Sequence, residues 1–210
     1  MMCKNKKLNH GFTRTPKFDV TPKGGGFTLI ETLVAVSIFS VSILSLMAVL
    51  AQGISDTNYA KQRIIAAYLA QEGIEYMRNL RDTFMLYGDG SPPNWTQFRN
   101  AINECGTPGI SKFCYFDDQD LDFEDPDMPV TQISIQSCGN NPCLTPLRYN
   151  SNTGKYNYDI FGADSGFIRS IQATYPGDPD DDIKISSTVS WTQGSGGYNI
   201  TFSERLFNWE

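Results

Sequence analysis

The chain has 210 residues, with 17 Lys and Arg, 23 Asp and Glu, one His, five Cys and a formal net charge of −6. That length suits one domain, or one domain with an appendage, and 12% aromatic residues against only 19% charged ones exclude a disordered tail. The sole histidine, His10, lies in the basic start, so Ser-His-Asp, Cys-His and His-metal chemistry is excluded from the rest of the chain.

The charge is unevenly divided. Residues 1–26 hold six basic side chains (Lys4, Lys6, Lys7, Arg14, Lys17 and Lys23) against Asp19 alone, and the other 184 residues carry −11. Phosphate contacts need clustered Lys and Arg, so no nucleic-acid partner is expected for so acidic a body. After Lys23-Gly24-Gly25-Gly26 the texture changes. From Phe27 to Ile54 the only charge is Glu31, and Thr32–Ala51 is an uncharged run of 20 residues. At ~1.5 Å per helical residue such a run crosses the ~30 Å apolar core of a bilayer. The basic flank before it predicts an N-terminus in the cytoplasm and a C-terminal body outside. A cleaved secretory signal has a shorter apolar run followed by small residues at the cut, and that pattern is absent here. A plain anchor explains the length but neither the glycine triplet nor the carboxylate. A charge deep in a membrane helix costs ~2.5–3.5 kcal/mol on insertion scales and marks function by default.

Lys23-Gly24-Gly25-Gly26-Phe27-Thr28-Leu29-Ile30-Glu31, followed by the uncharged run, resembles the processing motif of type IV prepilins and type II secretion pseudopilins. The resemblance implies cleavage between Gly26 and Phe27 by a prepilin peptidase and N-methylation of Phe27. It implies that Glu31, fifth in the processed chain, guides assembly into a filament. The partners it implies are the peptidase, other pilin or pseudopilin subunits, the inner-membrane assembly platform and the lipid bilayer. Gly11-Phe12-Thr13 looks like a second start, but Arg14 and Pro16 follow it and no apolar run does. Elementary physics agrees with the resemblance. An α-amine at Phe27, with a reference pKa of ~7.7–8.0, is largely cationic at neutral pH. Residues 27 and 31 are one helical turn apart, so the carboxylate can pair with its own amine or with that of an adjacent chain.

Ser42, Ser45, Ala48 and Ala51 recur every three positions, and Ser37 and Ser40 share that spacing. Two readings stay open: small residues that let membrane helices approach closely, or serines tolerated because their hydroxyls bond back one turn.

No proline falls between Pro22 and Pro92, and a helical pattern continues through Ser55–Phe84. Ile64, Ala67, Gln71, Ile74 and Arg78 trace one line, and Ile65, Leu69, Glu72, Tyr76, Leu80 and Phe84 another, with one wet face. The reading is one helix from about Phe27 to about Leu80, ~80 Å long, with Gly53 and Gly73 as points where it could bend. Residues 67–82 also resemble the minor-pilin branch of the family. The chain thus divides into a cleaved leader (1–26), a membrane and assembly half-helix (27–54), an amphipathic half-helix (55–86) and a head (87–210).

Gly88–Pro93 reads as a loop and Trp95–Glu104 as a short helix. Beyond Gly106 the short apolar runs predict strands at Lys112–Phe116, Val130–Gln136, Leu144–Tyr149, Tyr156–Phe161, Phe167–Thr174, Ile183–Thr192 and Tyr198–Phe207. Thr192–Gly197 turns the last two into a hairpin. Ile183, Ile185, Val189 and Trp191 share one parity, as on a half-buried strand. The fold class is therefore α+β, a long N-terminal helix packed on a C-terminal antiparallel sheet, and the head is large enough for its own core.

Cys3 would leave with the leader. Cys105, Cys114, Cys138 and Cys143 all follow the membrane run, in an oxidising compartment on this topology. Of three possible pairings, Cys105–Cys114 and Cys138–Cys143 are favoured, because Gly139-Asn140-Asn141-Pro142 makes a tight loop for the second. Free thiols and a zinc site are the alternatives. Neither spacing forms a paired C-x-x-C knuckle.

Asp118, Asp120 and Asp122 match the opening ligands of a calcium loop. Phe123 stands where that loop needs glycine and Pro129 where it needs glutamate, which excludes an EF-hand and leaves an irregular site or a solvated acidic loop. Asn94-Trp95-Thr96 and Asn199-Ile200-Thr201 match glycosylation triplets that occur often by chance. No catalytic constellation and no cofactor motif stands out. The expected function is a structural, non-enzymatic filament subunit. The alternative is an anchored extracytoplasmic binding or adhesion domain that never polymerises, with an anchored hydrolase third.

Overall fold

The computed structural model describes residues 26–117, 135–178 and 181–209. Helix α1 runs without interruption over Leu29–Tyr87, 59 residues. It continues past Leu80 because Phe84 is buried in the core and Thr83 Oγ1 donates back to the Asn79 carbonyl. Helix α2 spans Asn94–Ala101, and a single 3-10 turn, Asn103–Cys105, completes what reads in sequence as one short helix. The strands are β1 (Gly106–Thr107), β2 (Ile110–Ser111), β3 (Phe113–Phe116), β4 (Ile135–Gly139), β5 (Arg148–Asn150), β6 (Lys155–Asn157), β7 (Ala163–Asp164), β8 (Phe167–Thr174), β9 (Asp182–Gln193) and β10 (Gly196–Phe207). The class is α+β. The main sheet has the order β10-β9-β8-β3-β4 and is antiparallel throughout, while β6-β5-β7 and β1-β2 form smaller sheets.

Three predicted strands end elsewhere than expected, each for a local reason. In Leu144–Tyr149 only Arg148 and Tyr149 join a strand. Leu147 instead donates its N–H to the Phe167 carbonyl and accepts from the Ser165 N–H, which holds it beside β8. Tyr156–Phe161 stops at Asn157, whose Oδ1 accepts the Asp159 N–H and folds the chain back. Of Val130–Gln136, residues 130–134 lie outside the described residues, and β4 runs on to Gly139. Strand β8 matches its expected bounds, and the β9–β10 hairpin turns at Gly194-Ser195. Gly194 has φ +59° and no described non-glycine residue has positive φ, which makes this a two-residue type II′ turn.

The chain divides into two units, Met1–Ala51 and Gln52–Glu210. Within the second, α1 packs on the main sheet through two apolar clusters. One joins Ile74, Met77, Leu80 and Phe84 to Trp95, Phe98, Phe116, Ile171, Ile183, Ile185 and Leu206. The other joins Ala66, Leu69 and Ala70 to Leu147, Phe167, Val189 and Trp191. Each fully buried aliphatic or aromatic side chain contributes roughly 1.5–3 kcal/mol, so these clusters hold the helix on the sheet.

Between the clusters lies a polar waist, one residue from each element. Gly73 on α1 separates Ala70 from Ile74, Ser187 on β9 separates Ile185 from Val189, and Arg169 on β8 separates Phe167 from Ile171. Gly73 is no bend. A Cβ there would collide with Ser187 Oγ and come within 3.1 Å of Ser187 Cβ and 3.4 Å of Arg169 Cδ, so glycine is what lets the helix approach the sheet. A Cβ on Gly53 would meet nothing within 4 Å, and the helix passes through it unbroken.

Candidate functional site

The candidate site begins where α1 begins. The Glu31 and Thr32 N–H groups both donate to the Thr28 carbonyl, at 3.0 and 3.2 Å, and Thr32 Oγ1 donates to the Leu29 carbonyl at 2.9 Å. This local network starts the helix at Leu29, two residues after Phe27. Glu31 thereby falls in the first turn, where a carboxylate meets the positive end of the helix dipole. Among the described residues no side chain pairs with its carboxylate. Phe27 is 79% exposed and Gly26 has open space around its Cα. Gly26, Phe27 and Glu31 thus stand together at an uncovered helix start. The leader itself, residues 1–25, lies outside the described residues.

From Thr32 to Ala51 the helix carries no charge on any side. An 18-residue window of α1 has a mean hydropathy of 2.6, and none of it is buried. Leu33, Val36, Phe39, Val41, Leu44, Met47 and Leu50 are all exposed. A helix that is apolar all round belongs in lipid or in a bundle of other helices. The serines fit that setting. Ser37, Ser40, Ser42 and Ser45 donate to the carbonyls of Leu33, Val36, Ile38 and Val41 at 2.6–2.7 Å. Their hydroxyls are satisfied within the helix, as the second of the two sequence readings holds, and small side chains are what they leave on its surface.

In the second unit the structure joins Cys105 to Cys114 and Cys138 to Cys143. The first bond ties the 3-10 turn to β3, with Cys105 and Cys114 fully buried. The second closes the loop after β4, and the Cys143 N–H donates to Ser170 Oγ at 2.9 Å, seating that loop against β8. Asp118, Asp120 and Asp122, the calcium candidates, lie outside the described residues. Asn94, in the first sequence triplet, works locally: its Oδ1 accepts the Gly90 N–H and its Nδ2 donates to the Met85 carbonyl, which shapes the α1–α2 loop.

The polar waist escaped sequence reasoning. Arg169 is 1% exposed; its Nη1 bonds Glu72 Oε2 at 3.0 Å, its Nη2 donates to the Phe116 carbonyl at 3.4 Å, and its Cζ lies 4.2 Å from the centre of the Phe116 ring. Tyr76 stacks on the same ring at 3.4 Å. Nearby, burial pushes the Tyr158 hydroxyl up to about 12, the positive charge of Arg169 opposing the shift. Half-buried groups also link helix and sheet. Arg78 donates to Glu204 through Nε and Nη2, at 3.2 and 2.6 Å, and its guanidinium is held above its usual range first by that bond. A period-two strand with one buried arginine gives no sequence signal beyond Arg169 sharing parity with Phe167 and Ile171.

Neither a comparison with curated proteins nor one with solved structures returned a match. Residues 22–50 match the prokaryotic N-terminal methylation motif. The chain therefore carries, at an exposed apolar helix start, the signal of type IV pilins and pseudopilins.

Proposed function

We propose that this chain is a structural, non-catalytic subunit, of the minor class, of a type IV pilus or pseudopilus-like filament. Its leader, residues 1–26, is removed on the cytoplasmic side by a prepilin peptidase, and the new Phe27 amine is methylated. The processed chain rests in the inner membrane through residues 27–54 with its head outside, then passes through the assembly platform into the filament. The observation that supports this reading is the methylation motif on a helix whose apolar 18-residue stretch is wholly uncovered. Such a surface needs lipid before assembly and neighbouring helices after it.

Glu31 is assigned the role of register group. In an apolar bundle an unpaired charge is the costly state, so the Phe27 amine of an adjoining chain and the Glu31 carboxylate favour one mutual position. The test is the mass and N-terminal sequence of membrane-extracted protein made with an active prepilin peptidase. A chain beginning with N-methyl-Phe27 is expected. A full-length chain recovered beside an active enzyme overturns the reading.

A further inference from the structure

We propose that Cys138–Cys143 is a redox-sensitive clasp: an external dithiol opens it while Cys105–Cys114 stays closed, and opening frees residues 139–146 from β8. The two bonds differ in their surroundings. Cys105 and Cys114 are each 0% exposed and belong to the apolar cluster that includes Ile74, Met77 and Phe116. Cys143 is 3% exposed, Cys138 is half-buried, and neither belongs to either cluster. A thiolate must reach a sulfur to exchange with it, so access sorts the two bonds.

Position in the fold gives Cys138 that access. Strand β4 ends the main sheet and, among the described residues, pairs with β3 alone. Gly139 pairs with Phe113 and Ser137 with Cys114, so Cys138 falls at the register shift, opposite no residue of β3. Gly139, Asn140, Asn141 and Pro142, which link the two cysteines, are all exposed.

The reaction is a pair of thiol–disulfide exchanges. A thiolate of the dithiol attacks Cys138 Sγ, a mixed disulfide forms, and the Cys143 sulfur leaves as a thiolate that takes up a proton. The second thiolate of the dithiol then displaces the Cys138 sulfur, which is protonated in turn. The reagent departs as its own disulfide, and the protein has gained two electrons and two protons.

What the clasp holds is local. The Cys143 N–H donates to Ser170 Oγ at 2.9 Å, and Ser170 is 5% exposed. Further along, Leu147 is fastened to β8 without help from the cysteines, its N–H on the Phe167 carbonyl at 2.7 Å. Before the clasp, the pairing of Ser137 with Cys114 belongs to the sheet. Opening the bond therefore removes a tether between two fixed points and leaves both apolar clusters whole. The redox state of the medium thereby sets the conformation of one loop and the exposure of the Ser170 hydroxyl beneath it.

The test uses the full chain in detergent micelles, without denaturant, and dithiothreitol as the dithiol. Thiols are trapped with a maleimide over time and located by peptide mapping. Cys138 and Cys143 should be labelled at least about tenfold faster than Cys105 and Cys114. In the reduced chain, before trapping, the Cys143 amide should exchange faster with solvent, whereas the Leu147 amide should stay protected. Cys138→Ser combined with Cys143→Ser should reproduce that exchange pattern without reductant and keep the cooperative melting of the head. Labelling of all four cysteines at one rate, earlier labelling of Cys105 and Cys114, or resistance of both bonds until the chain melts overturns the proposal. So does a Cys143 amide whose protection survives reduction, which would show the Ser170 contact standing without the bond. Leader removal, read on the same preparations, is independent of these outcomes and reports separately on the filament reading.

Discussion

Arg169 crosses from β8 to α1 and meets Glu72, Nη1 to Oε2 at 3.0 Å, although the arginine is 1% exposed and the glutamate 38%. The pair lies at the waist where the two apolar clusters part, so it fixes the helix against the sheet at one height. A buried guanidinium is tolerable there because it has a carboxylate, a carbonyl and an aromatic face within reach.

Removal of one partner should cost more than replacement of both. Glu72→Ala leaves a buried positive charge without its carboxylate and should lower stability by about 3 kcal/mol. Arg169→Met combined with Glu72→Leu should cost clearly less, because no charge is then stranded. Denaturant titration of the full chain in micelles measures both.

The close approach at Gly73 makes a paired prediction. Gly73→Ala should destabilise by about 1–3 kcal/mol, since its Cβ would meet the Ser187 side chain on the facing strand. Ser187→Gly removes the obstructing atoms, so the double variant should recover part of that loss. Equal melting of the single and double variants would show that the sheet moves aside instead.

Glu31 should matter for assembly and not for insertion. Glu31→Ala and Glu31→Gln should enter the membrane at least as well as the native chain, because a neutral residue removes the cost of carrying a charge towards the apolar layer. Leader removal should continue, since the scissile bond is unchanged. Incorporation into sheared filaments, relative to the membrane pool, should fall sharply, with Glu31→Asp intermediate. Equal incorporation of Glu31→Ala would leave apolar packing as the sole guide.

Alkaline pH should loosen the head through Tyr158. Burial raises its hydroxyl from the ordinary value of 10.0 to about 12 in the folded chain. The unfolded chain therefore releases this proton first as pH rises. The resulting stabilisation, about 2–3 kcal/mol, is complete below pH ~10 and lost between there and about 12. Tyr158→Phe should flatten the decline of stability across that window without changing it at neutral pH. Arg169, Tyr115 and Asp117 face the same hydroxyl, and Arg169 alone among them eases its ionisation. An unchanged alkaline slope in Tyr158→Phe would place the loss elsewhere.

Much of this protein is legible along the chain, because its strongest signals are local. The uncharged run after Glu31 determines a helix that seeks lipid, since hydropathy over ~20 residues needs no tertiary partner. The spacing of Leu69, Tyr76, Leu80 and Phe84 determines the buried stripe of α1, and all four are buried. The alternation of Ile183, Ile185, Val189 and Trp191 likewise determines the inner face of β9, where all four lie. Boundaries decided by hydrogen bonds outside the strand ladders were not legible in the same way. Whether Asn157 ends a strand depends on which way its amide turns, and Leu147 leaves its expected strand for a carbonyl on β8.

The functional segment and the waist divide along the same line. Gly26, Phe27 and Glu31 can be read in sequence because the methylation motif that holds them is a run of consecutive residues. Gly73, Ser187 and Arg169 lie far apart in sequence, and Gly73 taken alone reads as a weak point in a helix. Only the packed structure makes it a contact, because the cost of a Cβ depends on how near the sheet comes. The charge of Arg169 likewise becomes bearable only when Glu72 and Phe116 close around it. Local pattern determined which surfaces seek apolar company; the tertiary structure alone decided which residues had to be small, or charged, where those surfaces meet.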